Sequence, residues 1–383
     1  MKNIKSIKNC SGCRACEQVC PINCISLVPD DEGFLYPQVK SECINCGKCL
    51  IVCPQQNDNL FQDVKATYAA ISNNYEELMK SSSGGLMSAL ADVILDEEGI
   101  VFGAYLDSKD WNCKYIGINN EEDLDMLRGS KYLQSDTQNT FSEVKTCLEK
   151  GKKVMFVGVP CQVAGLKSYL QEEYPNLYLV DILCHGATSP LLFHEHVKYL
   201  EKKYKDKLVD FTFRDKSKFP NKSALKYKFL KKEKVILGKC EFYYSAFISG
   251  ATYRMCCYEC AYAQKDRVGD ITLGDYWGIR KIHKAFDNTL GASLVLVNTE
   301  KGSSLLDRAD VLLEKSELDK AIIGNGILVA PSRMHPSRNF FYKDIQEIGY
   351  ERAMKKNIKV KPMLYNWILS HLPKKMIRFL STI

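Results

Sequence analysis

No stretch of the 383-residue chain approaches the ~18 consecutive apolar residues of a membrane span, which excludes a helical integral membrane protein. The basic start, MKNIKSIKNC, runs into cysteine without the apolar core of a secretory leader, so the chain is expected to stay in the cytoplasm. Nucleic-acid motifs are missing, as are basic stretches interleaved with aromatics, and no nucleic acid is expected as a partner. The charge is not extreme either. Net +7 from scattered lysines reads as a solvated surface, suited to an acidic protein partner. At this length two or three domains are expected.

Cysteine is abundant. There are 17, and nine of them fall within residues 10–53. Cys10, Cys13, Cys16 and Cys20 are followed by Pro21, and Cys43, Cys46, Cys49 and Cys53 by Pro54. This doubled C-x2-C-x2-C-x3-C-P run is the two-cluster bacterial ferredoxin spacing. Three thiolates on a tight loop wrap one cubane, and the fourth reaches the other cluster. Cys10, Cys13, Cys16 and Cys53 are therefore assigned to one 4Fe-4S cluster. Cys43, Cys46, Cys49 and Cys20 are assigned to the second. Gly12 and Gly47 sit where the loops must bend. Disulfides need an oxidising compartment, and zinc sites use separated C-x-x-C pairs, so neither fits. Cys24 lies outside the run and reads as a small buried hydrophobe beside the cluster.

Between the runs, CISLVPDDEGFLYPQV reads as a hairpin, and after a polar linker ATYAAIS reads as a strand. SSSGGLMSALADVILDEEG is a loop feeding a helix, with Ser81 to Ser83 as capping hydroxyls. Ser83, Gly84 and Gly85 put backbone N–H groups at that helix start, a place for a phosphate or simply an ordinary cap. Arg128, Gly129, Ser130 and Lys131 form a short basic loop that could grip an anion or merely be a solvated turn. VMFVGVPCQVAGLKSYL is a strand–helix unit with Pro160 at the helix start and Cys161 behind it, where a thiolate is favoured. YLVDILCHG is a second apolar strand, ending at Cys184. Strand ends of this kind form the ligand-binding edge of open α/β sheets, though core cysteines also occur there. Residues 189–205 read as a helix, LVDFTFRDK as a strand and 221–238 as a Lys-rich surface hairpin. Cys257-x-x-Cys260, with Cys256 adjacent, is open between metal, redox dithiol and accident. GASLVLVNTEKGSSLLDRA reads as strand, turn and helix, and the remainder as helical and basic. In the tail WILSHLPKKMIRFLSTI, Ile368, Leu372, Met376, Phe379 or Leu380, and Ile383 recur at helical spacing, with Lys374, Lys375 and Arg378 off that stripe and a kink at Pro373. Packing on the protein's own body is favoured over peripheral membrane contact.

Taken in order, SSGG, RGSKY, GVPCQVAGLK, DILCHG, FRDK and CYECAYA…GDITLGDYWG resemble the coenzyme F-420 hydrogenase/dehydrogenase beta-subunit family, over roughly residues 5–350. The resemblance implies FAD, contacted through Ser83, Gly84, Gly85, Arg128, Ser130 and Lys131. It also implies a third 4Fe-4S cluster on Cys161, Cys184, Cys257 and Cys260. Cys256 leaves the choice within the adjacent pair open, and Cys257 is preferred because it keeps the x-x spacing. The expected fold is α+β: a ferredoxin-type domain over 1–60, an α/β flavin-binding body over 65–350 and a basic amphipathic helix over 351–383. Three functions remain in view. One is a reductase or dehydrogenase passing electrons between ferredoxin-type clusters, FAD and a substrate. Another is a coenzyme F-420-oxidoreducing beta subunit of a hydrogenase- or formate-dehydrogenase-like complex, and the third a non-catalytic electron relay. The partner expected is ferredoxin or another redox protein. No side chain is assigned as catalytic.

Overall fold

The structure is a computed structural model that describes residues 4, 7, 9–57, 60–219, 222–286 and 289–371. Its strands are β1 Ile25–Pro29, β2 Leu35–Val39, β3 Ala66–Ser72, β4 Ile100–Asp107, β5 Asn112–Ile118, β6 Val154–Gly158, β7 Leu177–Ile182, β8 Leu208–Thr212, β9 Ala224–Phe229, β10 Glu233–Leu237, β11 Ile271–Asp275, β12 Ser293–Val297 and β13 Val311–Ser316. Eight of them form one mixed sheet in the order β13-β3-β12-β11-β7-β6-β4-β5. Its centre is parallel, β4 and β7 flanking β6 and β11 beside β7, while the other pairs are antiparallel. This bears out the mixed α/β character of the body.

The central strands are apolar throughout because both their faces are covered. Successive side chains point to opposite faces. Met155 and Val180 pack with Leu90 and Ile94 of helix Leu86–Asp96 on one side. Phe156 and Leu179 pack with Phe141, Val163 and Leu166 on the other, against helices Thr140–Glu149 and Pro160–Leu170. The hairpin at 221–238 is present as β9–β10, but it is not merely a surface element. With β8 it makes a three-stranded sheet whose inner face carries Leu225, Tyr227, Phe229 and Ile236. These residues join Phe193, Phe211, Phe213 and Tyr243 in an aromatic core. The remainder after 306 is not wholly helical either. VLLEKS, with two charged residues, forms β13 and pairs along β3 at the sheet edge, where half-exposed side chains are tolerated. Helices Tyr350–Asn357 and Met363–His371 lie on the aromatic core through Tyr350, Met354 and Leu369. The expected tail stripe from Leu372 onward, with Pro373, lies outside the described residues. No helix among the described residues is long and apolar enough to cross a membrane.

Residues 9–57 form a lobe around the hairpin β1–β2, whose turn is tied by Asp30 accepting from the N–H groups of Glu32 and Phe34. The lobe is docked by contacts from distant parts of the chain. Arg14 pairs with Asp136, and Thr137 Oγ1 donates to the Cys13 carbonyl at 2.9 Å. Arg338, 2% exposed, forks onto Glu32, and Gln346 Nε2 donates to the Asp31 carbonyl. One close approach is at Gly165, in the middle of helix Pro160–Leu170. A Cβ there would lie 2.9 Å from Cys13 Cβ and 3.0 Å from its Sγ. A mid-helix glycine costs about 1 kcal/mol relative to alanine, so on a free helix face Gly165→Ala would stabilise. Here the overpacking term, typically about 1–3 kcal/mol, should exceed that gain. A lower urea midpoint for Gly165→Ala is the expected result, and a raised one would contradict the close docking.

Candidate functional site

Each cysteine run bends through the same backbone device. The second and fourth residues after its first cysteine have positive φ: Gly12 (73°) and Arg14 (63°) in one run, Asn45 (53°) and Gly47 (77°) in the other. Glycine was expected here, but Arg14 and Asn45 adopt the same left-handed conformation. The turn brings an N–H onto the first sulfur of each run: Gly12 N to Cys10 Sγ and Asn45 N to Cys43 Sγ, both 3.4 Å. Cys10, Cys13, Cys16 and Cys53 line one cavity, and Cys20, Cys43, Cys46 and Cys49 line another. The fourth cysteine of each run lines the other run's cavity. Cys24, 3% exposed, sits beside the second set, its sulfur 3.5 Å from that of Cys20. The inner set is deeply enclosed, and burial pushes the Cys13 thiol up to about 12 and that of Cys53 to about 11. The outer set reaches solvent at Cys46. Among the described residues no three His, Cys, Asp or Glu side chains converge tightly enough to hold a single metal ion; these cysteines stand around voids instead. Four thiols line the first void and five, with Cys24, the second, and four thiols are the donor set of a 4Fe-4S cluster.

A much larger cavity, about 370 Å³, opens at the C-terminal ends of the parallel strands. That edge is where α/β sheets bind ligands. Cys161 reaches it as the second residue of helix Pro160–Leu170, and Cys184 two residues after β7. Cys256, Cys257 and Cys260 come from the turn at Met255–Glu259 and its exit. The helix start does not win at Cys161. Burial, then the nearby Cys184, Cys260 and Cys256, pushes its thiol well above the usual range. Burial, then Cys260 and Cys256, pushes Cys184 up to about 12. Burial is also the main cause of the rise at Cys260, with Cys256 adding to it. Cys161, Cys184, Cys256 and Cys260 therefore face one another. Cys257 lies against Cys256 and near Tyr253 and Tyr258. The preference for Cys257 rests on C-x-x-C spacing, which presumes one loop around the group. Here the chain runs through a 3-10 turn at Met255–Glu259 and leaves it extended at Cys260, whose thiol has Cys256 as its nearby cysteine.

At the other end of the cavity are Ser83, Gly85, Arg128, Ser130 and Lys131, while Gly84 lies just behind. Gly84 must lack a side chain, since a Cβ would be 2.4 Å from the Ala70 carbonyl oxygen. The serines do not cap helix Leu86–Asp96. Gly85 occupies the N-cap at φ 83°, and no side chain caps helix Leu86–Asp96. Ser82 Oγ instead accepts from Ser130 N at 2.8 Å and lies 3.0 Å from Ser130 Oγ, which ties the two loops together. The two cations expected to grip an anion are spent on the scaffold. Arg128 forks onto Glu77 and also pairs with Asp125. Lys131 Nζ donates to the carbonyls of Leu127 and Arg128, both at 2.8 Å, and burial lowers it to about 8. Two residues of the FRDK stretch, to which the sequence assigns no task, also reach this end. Arg214 Nη1 donates to Asp275 at 2.8 Å and Nη2 to the Ser82 carbonyl at 3.1 Å, and its guanidinium lies 5.8 Å from the Trp277 ring centre. Lys216 Nζ donates to the Leu78 and Ser83 carbonyls, both at 2.6 Å, and burial, then the Arg214 charge, lowers it to about 7. These two residues brace the serine loop across the cavity, a role that only the tertiary fold discloses.

Residues 151–320 match the family described as the C-terminal part of the coenzyme F420 hydrogenase/dehydrogenase beta subunit, and residues 9–57 match the "4Fe-4S dicluster domain". The chain thus carries, at 151–320, a domain of the coenzyme F420 hydrogenase/dehydrogenase beta-subunit family, with a 4Fe-4S dicluster domain ahead of it. It is 23% identical over 188 residues to a component of the F(420)H(2) dehydrogenase of Methanosarcina mazei, a match covering 46% of this chain and 53% of that protein. It is 29% identical over 164 residues to the coenzyme F420-dependent sulfite reductase of Methanocaldococcus jannaschii, covering 41% of this chain and 24% of that protein. The chain thus spans about half the length of the first relative and less of the second. Among solved structures, a chain of the F420-reducing NiFe hydrogenase complex from Methanosarcina barkeri aligns with TM-score 0.45 and 19% identity, over 79% of this chain and 92% of that one. That likeness is too loose to transfer a site. The beta-subunit family is one of oxidoreductases, and the dicluster domain gives this member iron-sulfur clusters and an electron-transfer role.

Proposed function

We propose that this F420-family chain is an iron-sulfur flavoprotein oxidoreductase. In this reading it exchanges single electrons with a redox protein at the outer cysteine set and an electron pair with a substrate in the large cavity. The observation that carries the reading is the succession of thiol sets. The outer set is exposed at Cys46, and the inner set lies behind it. Next come Cys161, Cys184, Cys256 and Cys260, with the cavity against them. Cys13 of the inner set is close enough to Cys161 to disfavour its ionisation. When bound, the clusters would supply single-electron capacity and FAD would supply hydride chemistry.

The chain's own part is binding, orientation and shielding. Cys10, Cys13, Cys16 and Cys53 would hold one cluster, Cys20, Cys43, Cys46 and Cys49 a second, and Cys161, Cys184, Cys256 and Cys260 a third. The start of helix Leu86–Asp96, with Gly85 and the joined Ser82 and Ser130 hydroxyls, offers neutral donors to a phosphate. Arg214 and the half-exposed Trp277 offer a cationic and a flat surface to an anionic ring. Docking of the lobe restricts water access to the cavity. Around the outer set, Ile44 and Ile51, 62% and 65% exposed, present an apolar patch to ferredoxin or another acidic redox partner. The place of action proposed is the cytoplasm.

The family match and the relatives' names support the deazaflavin coenzyme as the substrate, and in that reading the chain is an F420-oxidoreducing subunit. Anaerobic purification, acid release of cofactor and chromatography should yield FAD. F420 should then be reduced in an absorbance assay with reduced ferredoxin. Recovery of no flavin after anaerobic reconstitution would overturn the flavoprotein reading. Flavin without F420 turnover would retain the oxidoreductase and discard the deazaflavin.

A further inference from the structure

Among the described residues, Arg254 is a fully buried arginine whose charge meets no carboxylate. It follows Tyr253, which bridges to Thr188, and leads directly into the turn bearing Cys256. The residue is 1% exposed. Its Nε donates to the Cys10 carbonyl at 2.6 Å. The guanidinium lies 3.8 Å above the Tyr36 ring and 5.7 Å from that of Phe34, so aromatic faces of the lobe cover it. Nη1 and Nη2 are both buried, and among the described residues they have no hydrogen-bond partner. A desolvated guanidinium with two idle nitrogens is costly to keep unless an anion completes it. Arg254 reaches the inner cysteine set through the Cys10 carbonyl, and with Cys256, two residues further on, it lines the large cavity. A Cβ on Gly12, in the first cysteine loop, would come within 3.4 Å of Nη1. Arg254 therefore stands at the seam between the inner cysteine set and the set formed by Cys161, Cys184, Cys256 and Cys260.

We propose that Arg254 is a redox-tuning cation shared by these two sets, its idle N–H groups directed at the cluster sulfurs on either side. This rests on the iron-sulfur reading of both sets. Reduction adds one electron and makes and breaks no bond, so the added negative charge is all that the protein must stabilise. A buried cation and N–H donors to sulfur favour the reduced state and raise the potential. Shared between neighbours, one cation keeps their potentials matched, which suits passage of an electron in either direction. The outer set is outside its reach.

The test is an electron paramagnetic resonance redox titration of the full-length, anaerobically reconstituted protein with dithionite. Wild type should carry about twelve irons. Arg254→Gln removes the charge and keeps a donor for the Cys10 carbonyl. With iron unchanged, it should lower the potentials of the inner and third sets by at least about tenfold in the reduction equilibrium, ~59 mV for one electron. The outer set should stay as it was. Arg254→Lys should hold the two potentials nearer to wild type. A fully loaded Arg254→Gln protein with all potentials unchanged would reduce Arg254 to a docking residue and overturn the proposal. If the glutamine variant loses iron, the lysine variant decides: retained potentials support the charge, and potentials that fall in all three sets alike refute it. Wild-type protein with only about eight irons would instead refute the third cluster itself, a separate failure seen before any variant is made.

Discussion

Replacing Cys256 by serine should remove about four of roughly twelve irons per chain, and replacing Cys257 by serine should remove none. Both residues line the large cavity, and spacing alone prefers the second. Proximity favours the first, because Cys161, Cys184 and Cys260 all have Cys256 as a close neighbour, while the neighbours of Cys257 are Cys256, Tyr253 and Tyr258. Cys161→Ser and Cys184→Ser should behave like Cys256→Ser. In all three the ferredoxin signals should persist, since Cys10, Cys13, Cys16 and Cys53 form their own enclosure. Iron analysis of anaerobic protein, read beside the reduced spectrum, measures both. Full iron in the Cys161 and Cys184 variants would end the third-cluster assignment. If activity then fails only in the Cys257 and Cys260 variants, a dithiol takes its place.

The largest loss of stability is expected from Arg267→Met. Arg267 and Asp181 are 2% and 0% exposed and pair at 2.7 Å. Asp181 also accepts from Gly269 N at 2.8 Å, and Arg267 donates to the Tyr262 and Gln264 carbonyls. Removing the cation alone strands a buried carboxylate, which typically costs about 3–5 kcal/mol. Replacing both partners by apolar residues should recover much of that. Urea unfolding of the single and double variants checks the sign. The carbonyls that Arg267 holds follow Cys260, so the single variant should also load its third cluster less completely. A single variant as stable as wild type would mean that water reaches Asp181.

Much of this was legible because it is local. The ferredoxin loops announce themselves through spacing, and the central strands through short apolar runs such as VMFVG beside Pro160 and Cys161. β13 is hidden because VLLEKS sits at an edge, where one face is wet and its apolar signal is diluted. Arg128 and Lys131 have the right charge for an anion, yet their acids and carbonyls come from Glu77, Asp125 and the preceding helical turn. Whether a cation is free or already satisfied is a tertiary fact. The same holds for Arg214 and Lys216, whose partners lie 61 to 138 residues away. Arg254 does not stand out beside CCYEC, because isolation from acids is invisible in a sequence rich in acids.

The clamp on the lobe bears on how the protein is made. Glu32 meets Arg338 across 306 positions, and Asp31 meets Gln346 across 315. At ribosomal rates of about 5–20 residues per second, the lobe is synthesised roughly 15–60 s before its clasp exists. During that interval the cysteine loops remain open to the machinery that delivers iron and sulfide. Once the clasp closes, Gly165 and Thr137 lie against Cys13 and the inner set is sealed. Maturation is thereby ordered in time by chain position: metal first, closure second.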